Sequence, residues 1–259
     1  MRLTLYQIDA FASQVFEGNP AAVCPLEQWL SDDTMQHIAA ENNLSETAFF
    51  VANEGGFHIR WFTPTSEVKL CGHATLASAY VLFNELGYSE TAVRFQSKSG
   101  VLTVVRDADW LVMDFPAQPP VACDIPEPIK NSFSIEPVAC LKAEDYIVVF
   151  SSEAEVSAAR PKLAKLEELD LRGVAITARG STYDFVCRFF APRYGINEDP
   201  VTGSAYTQLV PYWSDVLGKR ELRARQLSDR GGDVRCVYQG DRVSIAGKAV
   251  KFLEATIEI

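Results

Sequence analysis

The sequence predicts a mixed α+β fold of two domains that share one topology and face each other across a pseudo-two-fold axis. Three observations lead there. Short runs rich in aromatic and β-branched residues alternate with amphipathic helical stretches along the whole chain. One sequence block recurs: R-W-F-T-P at Arg60 to Pro64 returns as R-F-F-A-P at Arg188 to Pro192. A second block follows in the same order, with E-V-K-L-C-G-H-A (Glu67 to Ala74) matched by E-D-P-V-T-G-S-A (Glu198 to Ala205), and a long helix is expected after each. Two blocks in one order point to an internal duplication, and clefts between domains are favoured ligand sites.

The elements follow in order. Leu3 to Asp9, Thr47 to Val51, Phe57 to Phe62, Ala92 to Gln96, Val101 to Arg106 and Trp110 to Phe115 are expected as strands. Phe16 to Pro20 (F-E-G-N-P) carries a turn signal. Ser31 to Glu41 reads as a helix, with Ser31 as N-cap, acids in the first turn and Met35, Ile38 and Ala39 on one face. Thr75 to Leu86 reads as a second helix, stopped by Gly87. The proline-rich stretch from Pro116 to Pro137 is expected to be a linker, because proline suits neither helix interiors nor central strands. It divides the chain into domains at 1–116 and 117–259, with the final strand a candidate to return to the first. Beyond it, Asp145 to Phe150, Val174 to Thr177 and Tyr183 to Phe190 are expected as strands. Pro161 to Leu169 and Ala205 to Gly218 are expected as helices, and hairpins through Gly240 and Gly247 close the chain.

Composition bounds the function. With 259 residues, 47% of them hydrophobic, the chain can bury a full core without disulfide or metal staples, and long disorder, collagen and coiled coil are excluded. A net charge of −10 disfavours nucleic acid and anionic membrane as partners, since both need a basic footprint. Six cysteines without a CxxC pair, and three scattered histidines, argue against a disulfide framework and against a metal site. Asp9 interrupts the apolar start that a signal peptide needs, and no window approaches a membrane span. The expectation is a soluble cytoplasmic protein with a small-molecule ligand.

The repeats also locate chemistry. Gly72 and Gly203 each open a long helix, whose unpaired amides and partial positive charge suit an anion. Packing relief between helix and strand would also explain glycine there. Glu46 opens an apolar strand, where partial desolvation suits a group that accepts and returns a proton. A surface glutamate at a strand entrance is the plainer alternative. Aligning the halves sets Gly173 opposite or next to Glu46, so only one half supplies a carboxylate. One base can move a proton between carbons on one face, whereas two opposed acids would invert a stereocentre. Cys71 lies at a helix mouth, but its counterpart is Thr202, which disfavours a two-cysteine racemase. His73 is a candidate donor held neutral by its surroundings. Asp199 could contact substrate, orient His73 or cap the loop before the second helix, beside Ser204. Asn19 could line the cleft or simply make the turn.

Together these residues resemble the PhzF family of phenazine-biosynthesis-like isomerases. The resemblance rests on Q-I-D-A-F (Gln7 to Phe11), F-E-G-N-P-A-A-V (Phe16 to Val23), L-S-E-T-A-F (Leu44 to Phe49), C-G-H-A-T (Cys71 to Thr75) and E-D-P-V-T-G-S-A (Glu198 to Ala205). It implies the diaminopimelate-epimerase-like fold, in which each of two similar domains wraps a barrel-like sheet around a central helix. It implies an active site without cofactor between the domains, and a homodimer. In the family's best-understood member a cyclohexadiene amino acid, trans-2,3-dihydro-3-hydroxyanthranilate, is isomerised. The proton-shuttling glutamate of that reaction matches Glu46. The family's other site positions match His73, Asp199 and Ser204, with amides at Gly72 and Gly203. Tyr206-Thr207-Gln208 stands where smaller residues are expected. A metabolite-binding or regulatory protein that keeps the cleft without catalysis is the alternative function.

Overall fold

The computed structural model describes residues 1–259, which divide into two compact units: Met1–Asp114 together with Ala246–Ile259, and Phe115–Ile245. Strands outnumber helices throughout, giving a mixed α+β fold. None of the helices is long and apolar enough to cross a membrane.

In the first unit the strand Arg2–Ala10 runs antiparallel to both Ala249–Glu258 (Leu5 opposite Ala255) and Asn19–Leu26 (Tyr6 opposite Val23). Asn19–Leu26 pairs in parallel with Glu46–Asn53, setting Ala21 against Glu46. Glu46–Asn53 runs antiparallel to Gly56–Phe62, with Thr47 opposite Phe62. Gly56–Phe62 then takes the short strand Glu67–Val68 antiparallel and Ala92–Ser97 in parallel. The helix Gly72–Tyr80 packs on the strands Arg2–Ala10, Asn19–Leu26, Glu46–Asn53, Gly100–Asp107 and Ala249–Glu258, and every residue from His73 to Ala79 is buried. Its small side chains let strands close in from several sides, which a one-faced amphipathic helix would not tolerate. The buried hydroxyls of Thr75 and Ser78 donate to the carbonyls of Cys71 and Ala74, at 2.6 and 2.8 Å, which removes the cost of burying them unpaired.

The second unit shows the same order of pairings. Ala139–Lys142 runs antiparallel to Val121–Ala122 and to Tyr146–Val149. Tyr146–Val149 pairs in parallel with Val174–Arg179, which runs antiparallel to Phe185–Ala191. Phe185–Ala191 takes the short Ile196–Asp199 antiparallel and Glu221–Gln226 in parallel. The long helix Tyr206–Leu217 packs on Glu221–Gln226 and Gly232–Tyr238. Val174 lies opposite Phe190 as Thr47 lies opposite Phe62, so register places Gly173 at the position of Glu46.

Several expectations are corrected. The segment after the F-E-G-N-P turn is itself a strand, and Asn19 begins it, fully buried. Gly18 makes the turn: its φ is +64°, and a Cβ there would stand 2.1 Å from the Ala10 carbonyl oxygen. The first long helix starts at Gly72 rather than Thr75 and passes into a π-helical turn, Val81–Glu85. The Pro116 to Pro137 stretch is no bare linker. It belongs entirely to the second unit, pairs Val121–Ala122 with Ala139–Lys142, and forms the helix Glu127–Ser132, whose Pro128 sits in the first turn where no amide partner is needed. The helix expected from Pro161 shrinks to Leu163–Leu166, and another, Glu153–Ala158, precedes it with Ser152 as N-cap. The second long helix contains Pro211 and is preceded by a 3-10 turn, Gly203–Ala205.

Candidate active site

Glu46 is placed by the end of the helix before it. Helix Asp32–Asn42 is capped by Ser31, whose hydroxyl accepts from the Thr34 amide, and it stops at Asn43 in the left-handed region (φ 49°). Three residues later Glu46 opens its strand, and Asn42 Nδ2 donates to Thr47 Oγ1 at 3.1 Å, tying helix end to strand start. The Glu46 side chain is 15% exposed, and its Oε2 is shielded from solvent.

His73 reaches Glu46 from the first turn of its helix. Its Nε2 stands 3.2 Å from Glu46 Oε2, within ion-pair reach but off the line of a well-directed hydrogen bond. Its Nδ1 faces Cys71 Sγ at 3.5 Å. Burial pushes the His73 pKa down to about 4, so the imidazole is neutral near pH 7. A neutral imidazole carries one N–H, so the Cys71 thiol donates to Nδ1 only in the tautomer protonated at Nε2. Cys71 is buried and touches the site histidine through its sulfur. Carboxylate oxygen, thiol sulfur and imidazole nitrogen lie within 4.8 Å of one another, a donor set that could hold a metal ion. Sequence spacing brings together only Cys71 and His73, at one helix start, while Glu46 comes from a separate strand.

Asn19 is related to Glu46 by strand register. It lies two residues before Ala21, the residue opposite Glu46, and so on the same face of its strand. Gly72 begins the helix directly, and no side chain caps the amides at its N-terminus.

The other three predicted residues belong to the second unit. Asp199 ends the strand Ile196–Asp199, and its Oδ2 accepts from Thr202 Oγ1 at 2.5 Å. Gln226 Nε2 donates to the Asp199 carbonyl, and Gln226 Oε1 accepts from the Thr202 amide. Of the roles left open for Asp199, holding the loop before Gly203 is therefore visible in its contacts. Gly203 and Ser204 form the 3-10 turn, again with no side-chain cap.

Arg172 was missed from the sequence. Its Nη1 donates to Ser204 Oγ at 3.0 Å, while Nε and Nη2 fork onto Asp145 at 2.9 and 2.5 Å. Its guanidinium also lies over the Phe189 ring, 5.4 Å from the centroid. The available signal was its place next to Gly173, the counterpart of Glu46. Gly173 itself has no room for a side chain: a Cβ would stand 2.5 Å from Phe189 Cζ and 2.9 Å from the Phe190 carbonyl oxygen.

The model of the phenazine biosynthesis-like protein family matches residues 8–255. The chain is 50% identical to an uncharacterized isomerase of Pseudomonas aeruginosa over 259 residues, covering 100% of both. It matches the crystal structure of a PhzF-family phenazine biosynthesis protein from Enterococcus faecalis with a TM-score of 0.98 and 43% identity, over 100% of each chain. A hydroxyproline epimerase from Agrobacterium vitis shares the fold at 10% identity, with a TM-score of 0.64 over 99% of this chain and 92% of that one.

Proposed function

The chain belongs to the phenazine biosynthesis-like protein family, and from that membership we propose that it is an isomerase of a small carboxylate-bearing metabolite, working without a cofactor. A cyclic amino acid is the favoured substrate class. The observation that carries the mechanism is the one-sided carboxylate. Glu46 is shielded and stands beside a neutral histidine, while its counterpart Gly173 leaves no space for a second acid.

In this mechanism the Glu46 carboxylate takes a proton from a substrate carbon. The electron pair of the broken C–H bond moves into the adjoining conjugated system, and the same carboxyl returns the proton to another carbon. Nothing is oxidised or reduced. A neutral His73 adds no fixed positive charge that would lock Glu46 into an ion pair. Asn19, Gly72 and His73 of the first unit, and Asp199, Gly203 and Ser204 of the second, are assigned to substrate binding, with the uncapped amides at Gly72 and Gly203 suited to a carboxylate. Descent of the two units from one duplicated ancestor and assembly as a homodimer belong to the same proposal.

The test is incubation with trans-2,3-dihydro-3-hydroxyanthranilate and related cyclic amino acids in D₂O, comparing wild type with Glu46→Gln. Deuterium uptake by wild type alone supports the proposal. Equal uptake by the variant removes Glu46 from the chemistry, and tight binding with no exchange in either favours a binding protein.

A further inference from the structure

The second unit contains a buried polar chain that ends on Ser204. Asp145 is fully buried, yet two elements hold it. Gln208, on the long helix, donates to Asp145 Oδ2 at 2.6 Å and accepts from the Asp145 amide at 2.9 Å. Arg172 forks onto both carboxylate oxygens, so the ion pair is paired and hydrogen-bonded as a buried charge must be. The guanidinium cannot swing away without stranding Asp145. Its remaining edge, Nη1, is thereby fixed against Ser204 Oγ, with Glu144 Oε1 at 3.4 Å on the same nitrogen.

A serine hydroxyl has one proton and two lone pairs. Arg172 has no acceptor atom, so it occupies a lone pair and forces the Ser204 proton to point elsewhere. No protein group accepts that proton, and Ser204 is only partly buried. Asp145 and Glu144 hold the guanidinium in place, and its Nη1–H still points at the hydroxyl.

We propose that Arg172 is a positioning residue: anchored by Asp145 and Gln208, it fixes Ser204 as a one-way hydrogen-bond donor to a carboxylate oxygen of the substrate. This rests on Ser204 being a substrate contact, as assigned above. Charge-assisted donation by Arg172 also polarises the O–H bond, strengthening its donation in turn.

Two measurements test it. The first needs no ligand. In Ser204→Cys the neighbouring guanidinium should lower the thiol pKa by about one pH unit below the ordinary value near 8.5, read as thiolate absorbance against wild type. An ordinary or raised value overturns the proposal. The second is calorimetric binding of anthranilate, a planar aminocarboxylate probe. Ser204→Ala should weaken binding about tenfold. The paired variant Arg172→Gln/Asp145→Asn, which leaves no uncompensated buried charge, should weaken it by a similar factor. Combining all three should weaken it no further, because both changes remove one interaction. Thermal melting checks that the paired variant folds; should it not, the Ser204→Cys titration decides alone. Loss with Ser204→Ala but not with the paired variant overturns the role of Arg172 and leaves Ser204 as a contact. Unchanged binding in Ser204→Ala, or no binding by wild type at about 10 mM, overturns the premise about Ser204, while the Glu46 exchange experiment still stands by itself.

Discussion

In the first unit Arg60 forks onto Glu67 at 2.8 and 2.9 Å and lies over the Phe62 ring, 5.1 Å from its centroid. In the second, Arg188 forks onto Glu198 at 2.7 and 2.9 Å and lies over Phe190, again at 5.1 Å. The recurring R-x-F and Glu of the sequence are thus one device built twice, an arginine tying its strand to the short strand ahead of the long helix. What surrounds the device differs. Arg60 also meets Asp32, and Lys98 shares Glu67 with it. Arg188 instead donates to the carbonyls of Val156, Ser157 and Ala159 and is only 7% exposed. The positions beside the helix starts diverge further. One unit places an acid, Glu46, against a histidine; the other has a glycine and a cation, Gly173 and Arg172, against a serine. The frame is repeated and the chemistry is not. A scaffold tied by ion pairs between neighbouring strands can exchange its site residues freely, because they do not carry the strand order.

The comparison can be broken at several points. Glu46→Gln should lower deuterium exchange by about 10²–10⁴-fold, against about tenfold for Ser204→Ala. Equal losses, measured as exchange rates, would mean the two units contribute alike. Arg188→Ala should cost about 3–5 kcal/mol of stability, since it strips buried carbonyls and a carboxylate of their partner. Arg60→Ala should cost about 1–2 kcal/mol, because Lys98 remains on Glu67; urea titration of both variants reads the difference.

Two groups of the first unit should also respond differently to acid. His73 titrates near 4 when folded and near 6.5 when not, so between those values the unfolded chain binds more protons. Stability is therefore present above about pH 6.5 and lost as pH falls toward 4, by up to about 3 kcal/mol. His73→Asn should flatten this part of the pH–stability curve. Glu67, held down to about 2 by hydrogen bonds from Arg60 and then by Lys98, loses its contribution only at lower pH, between about 4.5 and 2. Last, Gly173→Ala should cost about 1–3 kcal/mol through contact with Phe189 and the Phe190 carbonyl, a loss that the same urea titrations detect. A tolerated alanine would mean that space does not keep a side chain from that position.

Much of this was legible in the chain itself. The Ser31 cap, the strand opened by Glu46, and the pairing of Glu46 with Gly173 all follow from local spacing and from the repeat, and they recur in the registers. Where tertiary context outweighed local rules, the reading failed. Asn19–Leu26 contains Pro20 and Pro25 and still forms a strand, bonded on both sides. The proline-rich stretch builds a short strand and a helix, because its prolines sit where no amide is required.

By itself the sequence determined most of the element types, the repeated motifs and the presence of one acid where its counterpart has none, since these depend on residues near each other in the chain. Tertiary structure decided that His73 is buried enough to stay neutral, that Cys71 faces it, and that Arg172 reaches Ser204 while Gln208 holds Asp145, 32 and 63 residues apart. Such contacts exist only once strands close around helices, and periodicity carries no record of which side chains then meet.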